Sequence, residues 1–420
     1  MVKKIILKNG LRLLLVPQAG LAATVLVLVE AGSEYETKRV NGISHFLEHL
    51  VFKGTTRRPK PGTISTELDA LGAEYNAFTS QEYTGYWAKV QRGKLPQVLD
   101  LVSDLYLNPI FNPEEIEKER GVVIEEINMY EDTPMRRVQE LFAQLIYGDQ
   151  PAGWDIAGRK EVIRKLTRED FLAYRSKHYV APATLVVIAG SFRERDIERA
   201  ARGIFGDLLR SRRVAKPGVR EVQRRPAVLA RFKEVDQSHL VVGTRAFSIF
   251  DKRRYALQVL SEVLGGGMSS RLFHRVREEL GAAYYVRANP ELFLDHGYLE
   301  VAAGIDLTKV EIVVHAILDE LKRLATDLVP PPELQKAKDH MVGNLLLGLE
   351  TSDQLAGFYG GQEILTRSFI EPETLVGRIG RVRAEDVRAV ARALFKDANL
   401  NLAVIGPYKK PDLFRKILHF

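Results

Sequence analysis

The pentapeptide Leu71-Gly72-Ala73-Glu74-Tyr75 returns 209 residues later as Leu280-Gly281-Ala282-Ala283-Tyr284. The patterns around the two copies come in the same order. A β-branched apolar run at 23–30, a strand signal, is followed by a helix at 41–52; strand 239–243 is followed by helix 255–264. Pro113-Glu114-Glu115 after Asn112 opens one helix, and Pro331-Pro332-Glu333 opens another. The apolar strand at 183–189 has its counterpart at 400–405. A repeat of this period predicts internal duplication. The expected fold is α+β, in two homologous halves, each a mainly antiparallel sheet packed with helices. At 420 residues the chain is also too long for one ordinary core. The halves are expected at 1–209 and 228–420. Between them, residues 210–226 hold seven basic residues, one acid and two prolines, which reads as a solvated linker over 210–227.

The halves are not equivalent in chemistry. Helix 41–52 contains His45-Phe46-Leu47-Glu48-His49. Residues three and four apart share a helix face, so His45, Glu48 and His49 project together. Two imidazoles so placed can converge on one zinc, leaving Glu48 free to act on water. In the second half Gln258, Ser261 and Glu262 stand at roughly the matching places, and helix 255–264 contains no histidine.

Composition narrows the rest. There are no cysteines, so any metal must be held by histidine and carboxylate. The net charge is +7, but basic residues are interleaved with acids through most of the chain. That argues against nucleic-acid binding, which needs a clustered basic face. The N-terminal apolar run stops at Lys8-Asn9-Gly10, too soon for a signal peptide, and Asn-Gly predicts a hairpin turn between strands at 3–7 and 11–17. The run from Ala22 to Val29 is too short to span a bilayer. No membrane association and a cytoplasmic location are expected. The other seven histidines are expected to be structural or at the surface.

Glu119 and Glu126 lie seven residues apart, and so on one face of the helix opened by Pro113. With 76 residues between His49 and Glu126, this pattern resembles the inverted zincins, the pitrilysin–insulysin family that includes mitochondrial processing peptidase. The resemblance covers essentially the whole chain. It implies one Zn²⁺ per chain held by His45, His49 and Glu126, with Glu48 as general base. Glu119, joined by Glu82, would orient the ligands. Asn76-Ala77-Phe78-Thr79 resembles the edge strand that takes substrate as an added β-strand. Arg277 and Tyr284, seven apart, resemble the arginine–tyrosine pair of the family's non-catalytic half, and Gly265-Gly266-Gly267 its glycine-rich loop. The implied activity is that of a zinc metalloendopeptidase acting on peptides or unfolded polypeptides. A homodimer is implied, in which Arg277 and Tyr284 of one subunit complete the other's site. A heterodimer with a metal-less homologue stays open. The alternative is an inactive scaffold subunit of the same family, against which the complete ligand set speaks.

Overall fold

The computed structural model describes all 420 residues. In chain order the strands are β1 (Lys3–Ile6), β2 (Arg12–Pro17), β3 (Ala22–Val29), β4 (Glu74–Thr79), β5 (Thr84–Gln91), β6 (Thr184–Gly190), β7 (Ala227–Phe232), β8 (Gln237–Arg245), β9 (Ala283–Leu292), β10 (Gly297–Asp306) and β11 (Asn401–Gly406). The helices of the first 209 residues are α1 (Ile43–Leu50), α2 (Thr63–Ala70), α3 (Leu95–Leu107), α4 (Pro113–Glu131), α5 (Pro134–Tyr147), α6 (Lys160–Ile163), α7 (Arg168–His178) and α8 (Glu194–Phe205). Those that follow are α9 (Arg254–Gly265), α10 (Val310–Thr326), α11 (Pro331–Leu347), α12 (Ser352–Thr366), α13 (Pro372–Gly380), α14 (Ala384–Leu394) and α15 (Asp412–Ile417). No helix is long and apolar enough to cross a membrane.

The duplication is visible in the sheets. The first has the order β1-β2-β6-β3-β5-β4 and the second β7-β11-β8-β10-β9. Setting β1 aside, the two orders correspond strand for strand. Each contains a single parallel pair, β2 with β6 and β7 with β11, and every other pairing is antiparallel. Each sheet ends on an unpaired edge, β4 in the first and β9 in the second.

The compact units are not contiguous stretches. One comprises 1–128, 154–217 and 347–370; the other comprises 129–153, 218–346 and 371–420. The cause is burial on both sheet faces. Every residue of β6 is buried, and so is all of β3 except Ala22, a pattern that demands cover on both sides. Helix α3 covers one face of the first sheet. The other is covered by α12, whose Ala356, Tyr359 and Ile364 pack on Leu14, Leu26, Leu28 and Val187. In the second unit α5 plays the corresponding part, with Val138, Leu141, Phe142 and Ile146 on Val241, Ala302, Ala403 and Ile405. Each sheet thus takes one helix from the other half of the sequence. The division at 209 and 228 therefore follows the sheets but not the compact units.

The linker is mostly exposed, as expected, but two of its basic side chains reach buried acids of the first unit. Arg213 pairs with buried Glu30 at 2.8 Å. The Lys216 side chain is only 7% exposed, with its ammonium between Glu34 and Glu82, 3.0 Å from the latter. Three buried acids in the first unit call for counter-charge, and these basic side chains supply it.

Candidate active site

Helix α1 begins after Gly42, whose φ of +92° and close approach to the Ala157 carbonyl exclude a side chain. The exposed backbone N–H groups at this helix start are met by Glu36, which accepts from Gly42 N at 2.7 Å and Ser44 N at 2.9 Å. Burial pushes Glu36 up to about 7, against the pull of those hydrogen bonds. The opening turn is fixed further by Ser44 Oγ and Tyr174 OH at 2.7 Å. Helix α4 opens with Asn112 Oδ1 accepting from Glu114 N at 2.9 Å, the cap expected from its sequence.

These two helices bring His45, His49 and Glu126 together. Their candidate ligand atoms all lie within 4.8 Å of one another. Glu126 Oε2 is 3.5 Å from His45 Nε2 and 3.3 Å from His49 Nε2. Those separations are long for hydrogen bonds. They match the roughly 3.3–3.4 Å edge of a tetrahedron whose centre-to-ligand distance is about 2.0–2.1 Å, the geometry of zinc with nitrogen and oxygen ligands. The donor set fits a zinc ion in number, type and spacing.

Orientation and charge agree with that fit. His49 Nδ1 lies 3.0 Å from Glu119 Oε1, and Lys53 Nζ lies 2.6 Å from the other Glu119 oxygen. With Nδ1–H donating to Glu119, the lone pair of His49 is left on Nε2, facing Glu126. Burial alone would lower His49, but Glu119, Glu126 and Glu48 outweigh it and push the imidazole up to about 9. Burial would raise Glu119, but His49 and Lys53 hold it below the usual carboxylate range. Glu48, Glu119 and Glu126 thus stand around this corner with one lysine ammonium, Lys53, an acidic setting that favours a bound cation. Glu48 turns to the side, where Thr79 Oγ1 donates to its Oε2 at 2.7 Å.

That last contact ties α1 to the sheet edge. Thr79 ends β4, which carries Asn76, Ala77 and Phe78 on the unpaired side of the first sheet. Asn76 Oδ1 accepts from Ala77 N at 2.9 Å. Glu82 sits in the β4–β5 turn, buried, with Lys216 Nζ 3.0 Å from its carboxylate. Arg277 and Tyr284 belong to the second unit. Arg277 lies over the Phe273 ring in a π-helical stretch, Phe273–Glu279, and Tyr284 stands 75% exposed at the start of β9. Glu36 and Lys53 carried no motif, and Thr79 stood in the edge-strand run with no sign of its bond to Glu48. An invitation to look for them lay only in the bare amides of the α1 start and the bare oxygens of Glu119 and Glu48.

Residues 16–160 match the family described as Insulinase (Peptidase family M16), and residues 165–341 match the Peptidase M16 inactive domain. The chain belongs to peptidase family M16. An uncharacterized zinc protease of Streptomyces coelicolor is 34% identical over 99% of this chain and 91% of its own length. One of Bacillus subtilis is 33% identical over 97% and 98%. The crystal structure of a protease from Helicobacter pylori shares the fold with a TM-score of 0.91 at 24% identity, covering 97% of this chain and 99% of that one. The M16 assignment divides the chain as the metal residues do: the described inactive domain is the half without the histidine pair.

Proposed function

We propose that this M16 protein is a zinc metalloendopeptidase that hydrolyses short or unfolded polypeptides bound as an added β-strand. The observation that carries the reading is the convergence of His45, His49 and Glu126 within 4.8 Å of one another, Glu126 lying 3.3–3.5 Å from both imidazoles, with Glu48 on the histidine helix. When bound there, zinc would supply Lewis-acid polarisation of the scissile carbonyl and acidification of water.

The protein's own groups do the rest. Glu48 takes a proton from the attacking water as the water oxygen bonds to the carbonyl carbon. It then delivers that proton to the amine nitrogen as the C–N bond breaks. Thr79 holds Glu48 in line by its hydrogen bond. Glu119, backed by Lys53, fixes the His49 ring. The free edge of β4 offers main-chain donors and acceptors to an extended peptide, so recognition reads backbone before side chain.

In this reading two copies of the chain enclose the substrate, and Arg277 and exposed Tyr284 of one copy complete the site of the other. Heterodimer formation with a metal-less homologue is the competing assembly, and a cytoplasmic setting belongs to the same proposal. The test is Glu48→Gln. It is expected to keep one zinc per chain by elemental analysis and to lose about 10²–10⁴-fold in peptide cleavage. Undiminished turnover removes Glu48 from the chemistry. Absence of zinc and of cleavage in the unaltered chain returns it to the scaffold alternative.

A further inference from the structure

The start of α1 has a second neighbour besides Glu36. The segment 154–159 crosses it closely. A Cβ at Gly158 would lie 2.4 Å from the Asn41 carbonyl oxygen, and the φ of +79° there favours glycine as well. The Asn41 side chain fastens the crossing: its Nδ2 donates to the Asp155 carbonyl at 3.3 Å and to Glu36 Oε2 at 3.0 Å. Beside this crossing lies a cavity of about 260 Å³, lined by Lys38, Asn41, Trp154, Arg159, Glu161 and Val162. All six belong to the first unit, and the metal site uses none of them.

The lining divides into three kinds of chemistry. Lys38 and Arg159 bring two cations. Trp154 and Val162 bring a flat ring and an apolar wall. Glu161 brings a carboxylate, and Asn41 brings an amide whose N–H groups are already engaged. Asn41 is 2% exposed, and its Oδ1 has no hydrogen-bond partner. A buried acceptor without a donor is a cost that a native fold seldom carries. A ligand that brings an N–H to this wall removes it.

We propose that this cavity binds a free α-amino acid with an aromatic or large aliphatic side chain. Such a molecule carries a carboxylate, an ammonium and an apolar body, one for each part of the lining. Its carboxylate meets Lys38 and the planar fork of Arg159. Its ammonium lies by Glu161 and turns one of its three N–H groups to Asn41 Oδ1. Its side chain packs on the Trp154 ring against Val162. A dry apolar cavity of about 150 Å³ holds a benzene ring, so 260 Å³ leaves room for the charged groups as well. Simpler occupants fit worse. Inorganic phosphate would suit the two cations but face Glu161, and a bare amine would suit Glu161 but face the two cations. The occupant sits one hydrogen bond from Glu36, the carboxylate that caps the metal helix, yet its binding requires no peptide hydrolysis.

The chain has two tryptophans, Trp87 and Trp154, so Trp87→Phe leaves Trp154 as the sole reporter at the cavity. In that variant of the full chain, L-phenylalanine and L-leucine are expected to change Trp154 emission saturably. Three partial ligands are titrated beside them: 3-phenylpropanoate, which lacks the ammonium, 2-phenylethylamine, which lacks the carboxylate, and glycine, which lacks the side chain. Each is expected to bind at least about tenfold more weakly than L-phenylalanine, as is inorganic phosphate. Arg159 and Glu161 are exposed, so their replacement leaves the core intact. Arg159→Gln is expected to weaken L-phenylalanine at least about tenfold and to leave 2-phenylethylamine within about twofold. Glu161→Gln is expected to do the same to L-phenylalanine while sparing 3-phenylpropanoate. Circular dichroism checks that each variant is folded. No saturable change with either amino acid overturns the proposal. So does equal binding of L-phenylalanine and its partial analogues, or binding that survives both substitutions unchanged.

Discussion

The two sheets share one strand order, yet the helices beside them have been put to opposite uses. In the first unit α1 carries His45 and His49, and α4 carries Glu119 and Glu126. In the second unit the polarity is reversed: α9 carries an acid, Glu262, and α11 carries the imidazole, His340, with the two in contact. Both arrangements tie a short helix to a long one by a histidine–carboxylate pair. The first adds a second histidine and a second acid, which brings His45, His49 and Glu126 together as three donors. The repeat of α2 differs as well. Adding 209 to its range, Thr63–Ala70, leads to the π-helical stretch Phe273–Glu279 that presents Arg277. A π-turn inserted into a helix is often a sign of a functional position. The fold tolerates both versions because its stability rests on sheets and covering helices, while the chemistry rests on a few side chains at their ends.

The strongest way to break this contrast is to remove a donor from the first unit. Glu126→Gln is expected to lose bound zinc and to cut peptide cleavage by at least about 10³-fold, with far-UV circular dichroism unchanged. Zinc retained at one per chain would show that the ion sits elsewhere. His340→Ala, the corresponding cut in the second unit, is expected to change cleavage by less than about twofold.

Much of this was legible in the sequence, and the reasons are local. The periodicity of α1, the caps of α4 and the 209-residue offset each report on a single element or on its copy. What escaped was non-local. Apolar strands such as β6 announce that both faces are buried, but not that α12, more than 150 residues on, covers one of them. Glu82 belongs to the same stretch as Asn76, but its partner Lys216 comes from a linker whose composition resembles any solvated basic run. Ion pairs across such separations leave no periodic trace.

Buried charge gives the next two tests, because the units handle it differently. The first unit sets the Lys216 ammonium between Glu34 and Glu82. Lys216→Met takes the ammonium from between two buried carboxylates and is expected to cost about 3–5 kcal/mol, measured by denaturant unfolding at pH 7. A change below about 1 kcal/mol would show that water reaches the site. The second unit instead sets Glu300 near a second acid and an arginine: burial pushes it up to about 7, repulsion from Glu291 adds to this, and Arg287 opposes it. The unfolded chain titrates the same group near its ordinary value of 4.5. Between these values the folded state holds the extra proton, so this group's contribution falls as pH rises from about 4.5 to about 7 and is flat above. Glu300→Gln is expected to abolish that slope and to stabilise the protein at pH 8 by up to about 3 kcal/mol. An unchanged slope in the variant removes Glu300 as its source.

The smallest expected effect separates the two histidine–acid pairs most finely. Glu119→Gln leaves an oxygen that can still accept from His49 Nδ1, so the ring need not turn. What goes is the negative charge that favours the Nδ1–H tautomer and that Lys53 now balances at 2.6 Å. Removing an orienting carboxylate of this kind costs about 10–100-fold in metal affinity. Zinc titration against a competing chelator is therefore expected to show a shift in that range for Glu119→Gln. The same cut at Glu262, whose partner His340 stands without a second imidazole beside it on α9, is expected to leave zinc affinity unchanged. Equal losses in both variants would mean that the metal senses the general charge of the chain. In that case the asymmetry between the halves would not reside in these side chains.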